Sequence, residues 1–150
     1  MNTNSDLYQI IKKVNHQRQK SQIWNQEWVQ RYAATNFYAF SRGKFLVALT
    51  NSNNTQQFQV TYSPFSEGEV VCNIFYPTTD CQTVKNGVNV YLGNGESKIY
   101  VPKGDLASMN EIEIEEMMTE DYDAFNILQW VGKLDVSKRQ LYLIQYILFV

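Results

Sequence analysis

Two cysteines, Cys72 and Cys81, are the first candidates for chemistry, since the chain of 150 residues contains no others. They lie nine positions apart in an alternating apolar segment, with a turn signal at Pro77 between them. A strand, a turn and a returning strand would place the two side chains opposite each other, where a disulfide could form. Two free thiols in a reduced protein fit the same spacing. A structural zinc site is disfavoured, because two cysteines and a single histidine cannot supply four ligands without carboxylates.

The other polar groups do not form a catalytic set. Seven carboxylates are concentrated between Glu111 and Asp123, a pattern typical of a solvated acidic face, and the twelve-residue calcium loop with its central glycine is absent. His16 lies on a predicted helix without an identifiable nucleophile, so we expect it at the surface or at a boundary. The stretch 93–96 lacks the Lys-Ser/Thr of a phosphate loop and is expected to be a turn.

Aromatic side chains offer a second kind of chemistry, the stacking of flat rings on a sugar. The candidates for sugar stacking are Trp24, Trp28, Tyr62 and Tyr76. The interpretation that we favour is that these rings fill the core or an interface. Asn53 begins an N-glycosylation sequon in a predicted hairpin loop, which is relevant only in a secreted protein.

Composition restricts the class of protein. A chain of this length usually forms one domain, and 44% hydrophobic with 19% charged residues is globular composition. The net charge of −2 gives no basic excess, so we expect neither nucleic acid nor an anionic membrane as partner. The closing run 141–150 is too short to span a bilayer, which takes about 20 apolar residues.

Charge divides the chain near residue 103. Residues 1–102 contain nine Lys and Arg against six Asp and Glu, a formal charge of +3, whereas residues 103–150 contain four against nine, which is −5. Such a change of sign marks a candidate boundary.

Hydrophobic periodicity predicts the elements. Leu7, Ile10, Ile11 and Val14 follow helical spacing, Ser5 is a suitable N-cap, and basic residues follow at the C-terminal end. From Trp28 the period changes to two, and "KFLVALTN" is apolar enough for a central strand that is buried on both faces. Asn86-Gly87 and Gly93-Asn94-Gly95 indicate hairpins. The spacing of strands and turns predicts a mainly β fold: an antiparallel Greek-key β-sandwich with an N-terminal amphipathic helix and a C-terminal tail of uncertain structure.

The region 7–102 resembles the C-terminal end of an α-amylase of glycoside hydrolase family 13, in which the last barrel helix leads into an all-β domain. The segments that carry the resemblance are "LYQIIKKVNHQR", "FYAFSRGKFLVALTN", "EVVCNIFYPTTDC" and "GVNVYLGNGESKIYVP". The resemblance implies a helix over 1–26, a β-sandwich over 27–103, and an extension over 104–150 that has no counterpart in the family. It also implies a disulfide between Cys72 and Cys81 and an extracellular or luminal setting, although no secretory signal pattern opens the chain.

The same resemblance implies an accessory role without catalysis. The family's catalytic carboxylates and its calcium and chloride sites belong to the barrel, so we expect no catalytic residue, metal or cofactor here. The expected partners are a catalytic barrel or another protein chain, with polysaccharide as a further possibility. An alternative hypothesis is a structural or interaction protein that reuses the sandwich and binds a partner through its tail. A truncated gene product is a third hypothesis. Without a barrel to pack on, the apolar face of residues 7–14 must dock on the sandwich, be covered by the tail or meet another chain.

Overall fold

The computed structural model of the chain describes residues 5–107 as one α-helix followed by an antiparallel β-sandwich. The helix α1 spans Asp6–Ser21, and a 3₁₀ turn follows at Ile23–Asn25. The strands are β1 (Trp28–Ala34), β2 (Phe37–Arg42), β3 (Phe45–Thr50), β4 (Gln56–Val60), β5 (Val70–Asn73), β6 (Cys81–Thr83), β7 (Val88–Leu92) and β8 (Ser97–Pro102), and a second 3₁₀ turn spans Lys103–Asp105. Of the extension predicted over 104–150, only residues 104–107 are described, so its acidic cluster and apolar end lie outside the described residues.

The helix begins and ends where its sequence signals predict. The Ser5 hydroxyl accepts a hydrogen bond from the Tyr8 backbone N–H at 3.4 Å, which satisfies one of the free amides of the first turn. Arg18 and Lys20 lie in the last turn, where the helix dipole favours cations. Gln22 then adopts a left-handed conformation, φ 45°, and its N–H closes the helix on the carbonyls of Arg18 and Gln19.

The strands form two sheets, of six and two strands. The order in the larger sheet is β1-β2-β3-β8-β5-β6, and β4 pairs with β7 in the smaller one. Every pair is antiparallel, and the last strand lies between β3 and β5, as in a Greek key. The predicted fold class is confirmed.

The larger sheet is covered on both faces, and this explains the composition of its central strand. One face packs on α1 through a cluster that includes Val14, Val47 and Ile99. The other face packs on the small sheet through a cluster that includes Leu46 and Val90. All six residues of β3 are buried, as the apolar run predicts. Helix α1 therefore docks on the sandwich, the first of the three destinations that its apolar face allowed.

The turn signals predict backbone conformation correctly and pairing incorrectly. Asn86 and Gly87 both have positive φ, 53° and 100°, but β6 pairs with β5 while β7 pairs with β4. The turn therefore connects the two sheets and is not a hairpin. The same holds for the turn 93–95 and for the loop that contains Asn53. Local residues set a turn's dihedrals, whereas the partner of the next strand depends on distant apolar residues.

Gln17 joins the helix to the segment that follows β8. Its side chain is 1% exposed, and its amide nitrogen donates to Ser21 Oγ at 3.0 Å and to the Asp105 carbonyl at 2.9 Å. Its amide oxygen accepts from the Ala107 N–H at 2.9 Å. Lys13 Nζ adds a hydrogen bond to the Phe75 carbonyl at 3.3 Å. These bonds attach α1 to the β-domain in addition to its apolar contacts.

We expect Gln17→Met to lower the free energy of unfolding by about 1–3 kcal/mol, because it preserves volume but removes two hydrogen bonds to backbone groups, each contributing about 0.5–1.5 kcal/mol. The Ala107 N–H and the Asp105 carbonyl lose their side-chain partner. Urea unfolding followed by circular dichroism measures the change. Gln19→Met is the matched control, because Gln19 is exposed on the same helix and should change stability by less than about 0.5 kcal/mol. Equal effects of the two substitutions would contradict this role for Gln17.

Candidate functional site

The two cysteines are joined by a disulfide in the structure. Cys72 on β5 lies directly opposite Cys81 on β6, so the bond crosses the antiparallel ladder and closes the connection 73–80. Cys72 is fully buried and Cys81 is exposed. The pairing that the family resemblance implies is therefore the pairing present, and the described residues contain no free cysteine.

A polar cluster lies beside the disulfide, centred on the Asp80 carboxylate. Its Oδ2 accepts a hydrogen bond from Asn73 Nδ2 at 3.0 Å and lies 2.8 Å from Lys98 Nζ. Its Oδ1 accepts a weaker bond from the Tyr100 hydroxyl at 3.4 Å. Asn73 also receives the Phe75 N–H on its Oδ1, at 3.2 Å. The cluster thus fixes both ends of the disulfide-closed loop to strand β8.

Sequence analysis missed this cluster, because its members come from three separate segments. The register that pairs Asn73 with Tyr100 is what brings β5 and β8 together, and no local pattern specifies it. The one local signal is Asp80 itself, a carboxylate placed directly before Cys81 at the start of a strand.

The chemistry of the cluster is that of a structural network. Lys98 compensates the single carboxylate, and Tyr100 is 1% exposed, so substrate has no access to the phenol. Burial, followed by the charge of Asp80, raises the pKa of Tyr100 far above its ordinary value of 10.0. The phenol therefore remains neutral and is not a general base at neutral pH. Residues 5–107 also contain no group of three or more His, Cys, Asp and Glu that could hold a metal ion.

Tyr100 predicts an alkaline limit of stability. A folded-state pKa above the unfolded value means that the folded chain binds this proton more tightly. The resulting stabilisation is fully present below about pH 10, the unfolded pKa, and is lost as the pH rises toward the folded value. We therefore expect the free energy of unfolding to fall more steeply above pH 10 in the unaltered chain than in Tyr100→Phe. Urea titrations at several pH values measure both slopes, and parallel slopes would contradict the prediction.

The four candidate sugar-stacking aromatics are exposed to solvent. Trp24 is 50% exposed, Trp28 38%, Tyr62 62% and Tyr76 56%. They do not fill the core, so the first part of the interpretation that we favoured is wrong. No ring contact joins any two of the four, and they occupy different places in the described fold. One face of Tyr62 is already covered by the Arg31 guanidinium, whose carbon lies 4.6 Å from the ring centroid.

The remaining candidates are placed as follows. Asn53 is exposed in the loop between β3 and β4, which is accessible to modification. His16 is 9% exposed on α1, so of the two expected positions, the surface or a boundary, the structure excludes the surface. The carboxylates 111–123 lie outside the described residues. Within the described range no helix is long and apolar enough to cross a membrane.

Comparison with known proteins reveals likeness of fold. No protein-family model matches the chain, and no curated protein matches it. Among solved structures, an α-amylase from Malbranchea cinnamomea superposes with a TM-score of 0.60 at 19% identity, over 71% of this chain and 24% of that one. An Anoxybacillus α-amylase superposes with a TM-score of 0.55 at 20% identity, over 73% of this chain and 25% of that one. The chain thus shares the fold of part of these proteins and spans about a quarter of their length.

Proposed function

We propose that the helix 1–26 and the β-sandwich 27–103 form an accessory domain of the α-amylase type, which stabilises a glucan-hydrolysing barrel and does not itself hydrolyse glucan. The observation that supports this most directly is the superposition on α-amylases, which covers most of this chain but only about a quarter of theirs. The family resemblance of residues 7–102 implies that the superposed quarter is the C-terminal end of such an α-amylase.

The contacts of α1 support a mechanical role. The helix is attached to the sandwich by its apolar face and by Gln17, Lys13 and Lys20, whose Nζ donates to the Leu106 carbonyl at 2.7 Å. A unit that packs against this helix is therefore positioned by the whole β-domain. Each Å² of apolar surface that becomes buried in such a contact contributes about 25 cal/mol.

The engagement of carboxylates supports the absence of hydrolysis by this part of the chain. A retaining glycosidase needs two carboxyl groups about 5–5.5 Å apart, one of them protonated. Four carboxylates of the described residues already serve structural partners, a lysine ammonium or a backbone N–H. They are Glu67, Glu69, Asp80 and Glu96.

A carbohydrate-associated role is the second part of the proposal, and exposed aromatic rings support it. Tyr76 lies on the loop closed by the disulfide, and Trp28 lies at the start of β1 with its ring centroid 6.4 Å from that of Phe40. Both rings are available to a polysaccharide. The disulfide is also compatible with an extracellular or luminal setting, which we propose for the chain.

Assays on the purified chain test both parts. We expect no release of reducing sugar from soluble starch, and an activity that co-purifies with the chain would overturn the accessory role. In a native gel containing starch, we expect retarded migration that Tyr76→Ala and Trp28→Ala reduce. Tyr91→Ala is the matched control, because Tyr91 is also exposed, at 55%, but is not among the candidates. Repeating the gel with reductant shows whether retardation depends on the closed loop, and equal migration with and without starch would contradict carbohydrate association.

A further inference from the structure

A basic cleft lies where the C-terminal end of α1 meets the turn between β2 and β3. Four cationic residues and one acidic residue, Asp105, line it. The four cations are Lys20, Arg31, Arg42 and Lys44. Its volume of about 580 Å³ is within the range of sites that hold small molecules. Of these four cations, only Lys20 has a part in the accessory role proposed above, through its hydrogen bond to the Leu106 carbonyl. None of the four is a candidate for sugar stacking.

Arg42 is the part of the cleft that most needs a partner. It is the last residue of β2, and its backbone is fixed between Trp28 and Phe45 by the sheet register. Its Nε is fully buried and makes no hydrogen bond within the described residues. A charged donor buried without an acceptor is unfavourable, and native structures rarely leave one. Nε itself is closed to a ligand, but Arg42 as a whole is half-buried, so an anion in the cleft can accept from the terminal N–H groups of the same guanidinium and compensate its charge.

Arg31 is held in place by its surroundings. It is the extra residue of a β-bulge in β1, between Gln30 and Tyr32, and bulges redirect a side chain. Its Nε donates to Ser41 Oγ at 2.8 Å, and its guanidinium carbon lies 4.6 Å from the Tyr62 ring centroid. The four other N–H groups of the fork are left for a ligand. Because the side chain is already ordered, little conformational entropy remains to be lost on binding.

The two lysines are engaged with the protein and add charge at the rim. Lys44 Nζ lies 2.7 Å from Glu69 Oε1, and this ammonium holds the pKa of Glu69 below its ordinary value. Lys20 Nζ donates to the Leu106 carbonyl. The donors best suited to a ligand therefore belong to the two arginines, whose planar forks match the oxygen atoms of phosphate and sulfate and whose charge persists at every physiological pH.

We propose that this cleft binds a ligand through a phosphate group, with the guanidinium of Arg42 as the principal donor and Arg31 as a second. A phosphate group reaches such a site either as the free ion or as an ester of a larger molecule such as a sugar. The proposal does not rest on the accessory role, since a phosphate site is compatible with any neighbour.

Isothermal titration of the full chain in about 150 mM NaCl, which screens exposed charges, tests the proposal. The ligands are inorganic phosphate, glucose 6-phosphate and glucose. We expect both phosphorylated ligands to bind, and glucose not to bind. Tighter binding of glucose 6-phosphate identifies an ester as the natural ligand, whereas equal affinity identifies the free ion, and both results support a phosphate site.

Variants assign the binding to the cleft. We expect Arg42→Gln to weaken phosphate binding at least about tenfold, as the loss of a charged hydrogen bond of about 1.4 kcal/mol or more requires. Arg42→Lys, which keeps the charge but not the fork, should be intermediate. Lys85→Gln removes one exposed charge from the connection between β6 and β7 and should have no effect.

Equal losses in Arg42→Gln and Lys85→Gln would overturn the proposal. A failure of phosphate to bind would overturn it as well. If Arg42→Gln also destabilised the phosphate-free chain, Arg42 would already have a partner within the chain. Arg31→Gln provides a second variant if Arg42→Gln does not fold.

Discussion

Replacing Cys72 and Cys81 together with alanine is expected to lower the free energy of unfolding by about 2–5 kcal/mol. The bond joins strands β5 and β6 over a sequence separation of nine residues, and closing a loop of about ten residues removes about 2–3 kcal/mol of unfolded-state entropy in the chain-entropy model. Cys72 is also fully buried, so its truncation removes core contacts beyond the bond itself. Urea unfolding of the oxidised chain and of the double variant measures the loss.

Reduction separates the two contributions. Reductant breaks the bond but leaves both sulfur atoms in place, so the reduced chain should lose only the part that the cross-link supplies. The double variant should not respond to reductant, because the described residues contain no other cysteine. A loss below about 0.5 kcal/mol on reduction would show that the Asp80 cluster alone holds the loop.

The elements with strong local patterns are those that the sequence predicts correctly. Helix α1 has an apolar stripe, a serine cap and basic residues at its end, so three independent signals agree. Strand β3 is apolar from Phe45 to Leu49, the composition expected of a strand that is covered on both faces.

The errors in predicted strand pairing arise where the chain passes from one sheet to the other. Asn86-Gly87 has the conformation of a hairpin turn, yet β6 and β7 belong to different sheets. The Gln82 side chain spans the gap between them, with Nε2 donating to the Asn89 carbonyl at 2.7 Å and Oε1 accepting the Asn89 N–H at 2.9 Å. An amide side chain thus takes the place of a backbone ladder between β6 and β7. The alternation of apolar and polar residues along the chain gives no sign of this substitution.

Candidate sites also divide into those with a local sequence pattern and those that depend on strand pairing. The cysteines lie only nine positions apart and flank one turn, so a possible disulfide is visible in their spacing. The Asp80 cluster and the basic cleft each combine residues from distant segments, and only the sheet register brings them together. Arg31 shows this most directly, because the bulge that orients it is a property of pairing and not of composition.

The turn after β6 leads to the second prediction of large effect. We expect Gly87→Ala to lower the free energy of unfolding by about 3–5 kcal/mol, for two reasons that add. Its φ of 100° is a conformation that residues with a Cβ rarely adopt. A Cβ at this position would also lie 2.3 Å from the Val60 carbonyl oxygen and 2.6 Å from Thr61 Cα. Both are backbone atoms at the end of β4, so the contact cannot be relieved by a side-chain rotation.

Gly68→Ala separates strain from collision. Gly68 has a similarly positive φ, 80°, but a Cβ there would meet no atom within 4 Å. It should therefore lose only the cost of the backbone conformation, about 1–2 kcal/mol. Gly104→Ala, with open space and no positive φ, should be close to neutral. The difference between Gly87→Ala and Gly68→Ala in urea unfolding measures how closely the turn packs on β4. If the two losses are equal, the turn can move away from β4 at no cost, and the close packing of the two sheets at this point is not required for stability.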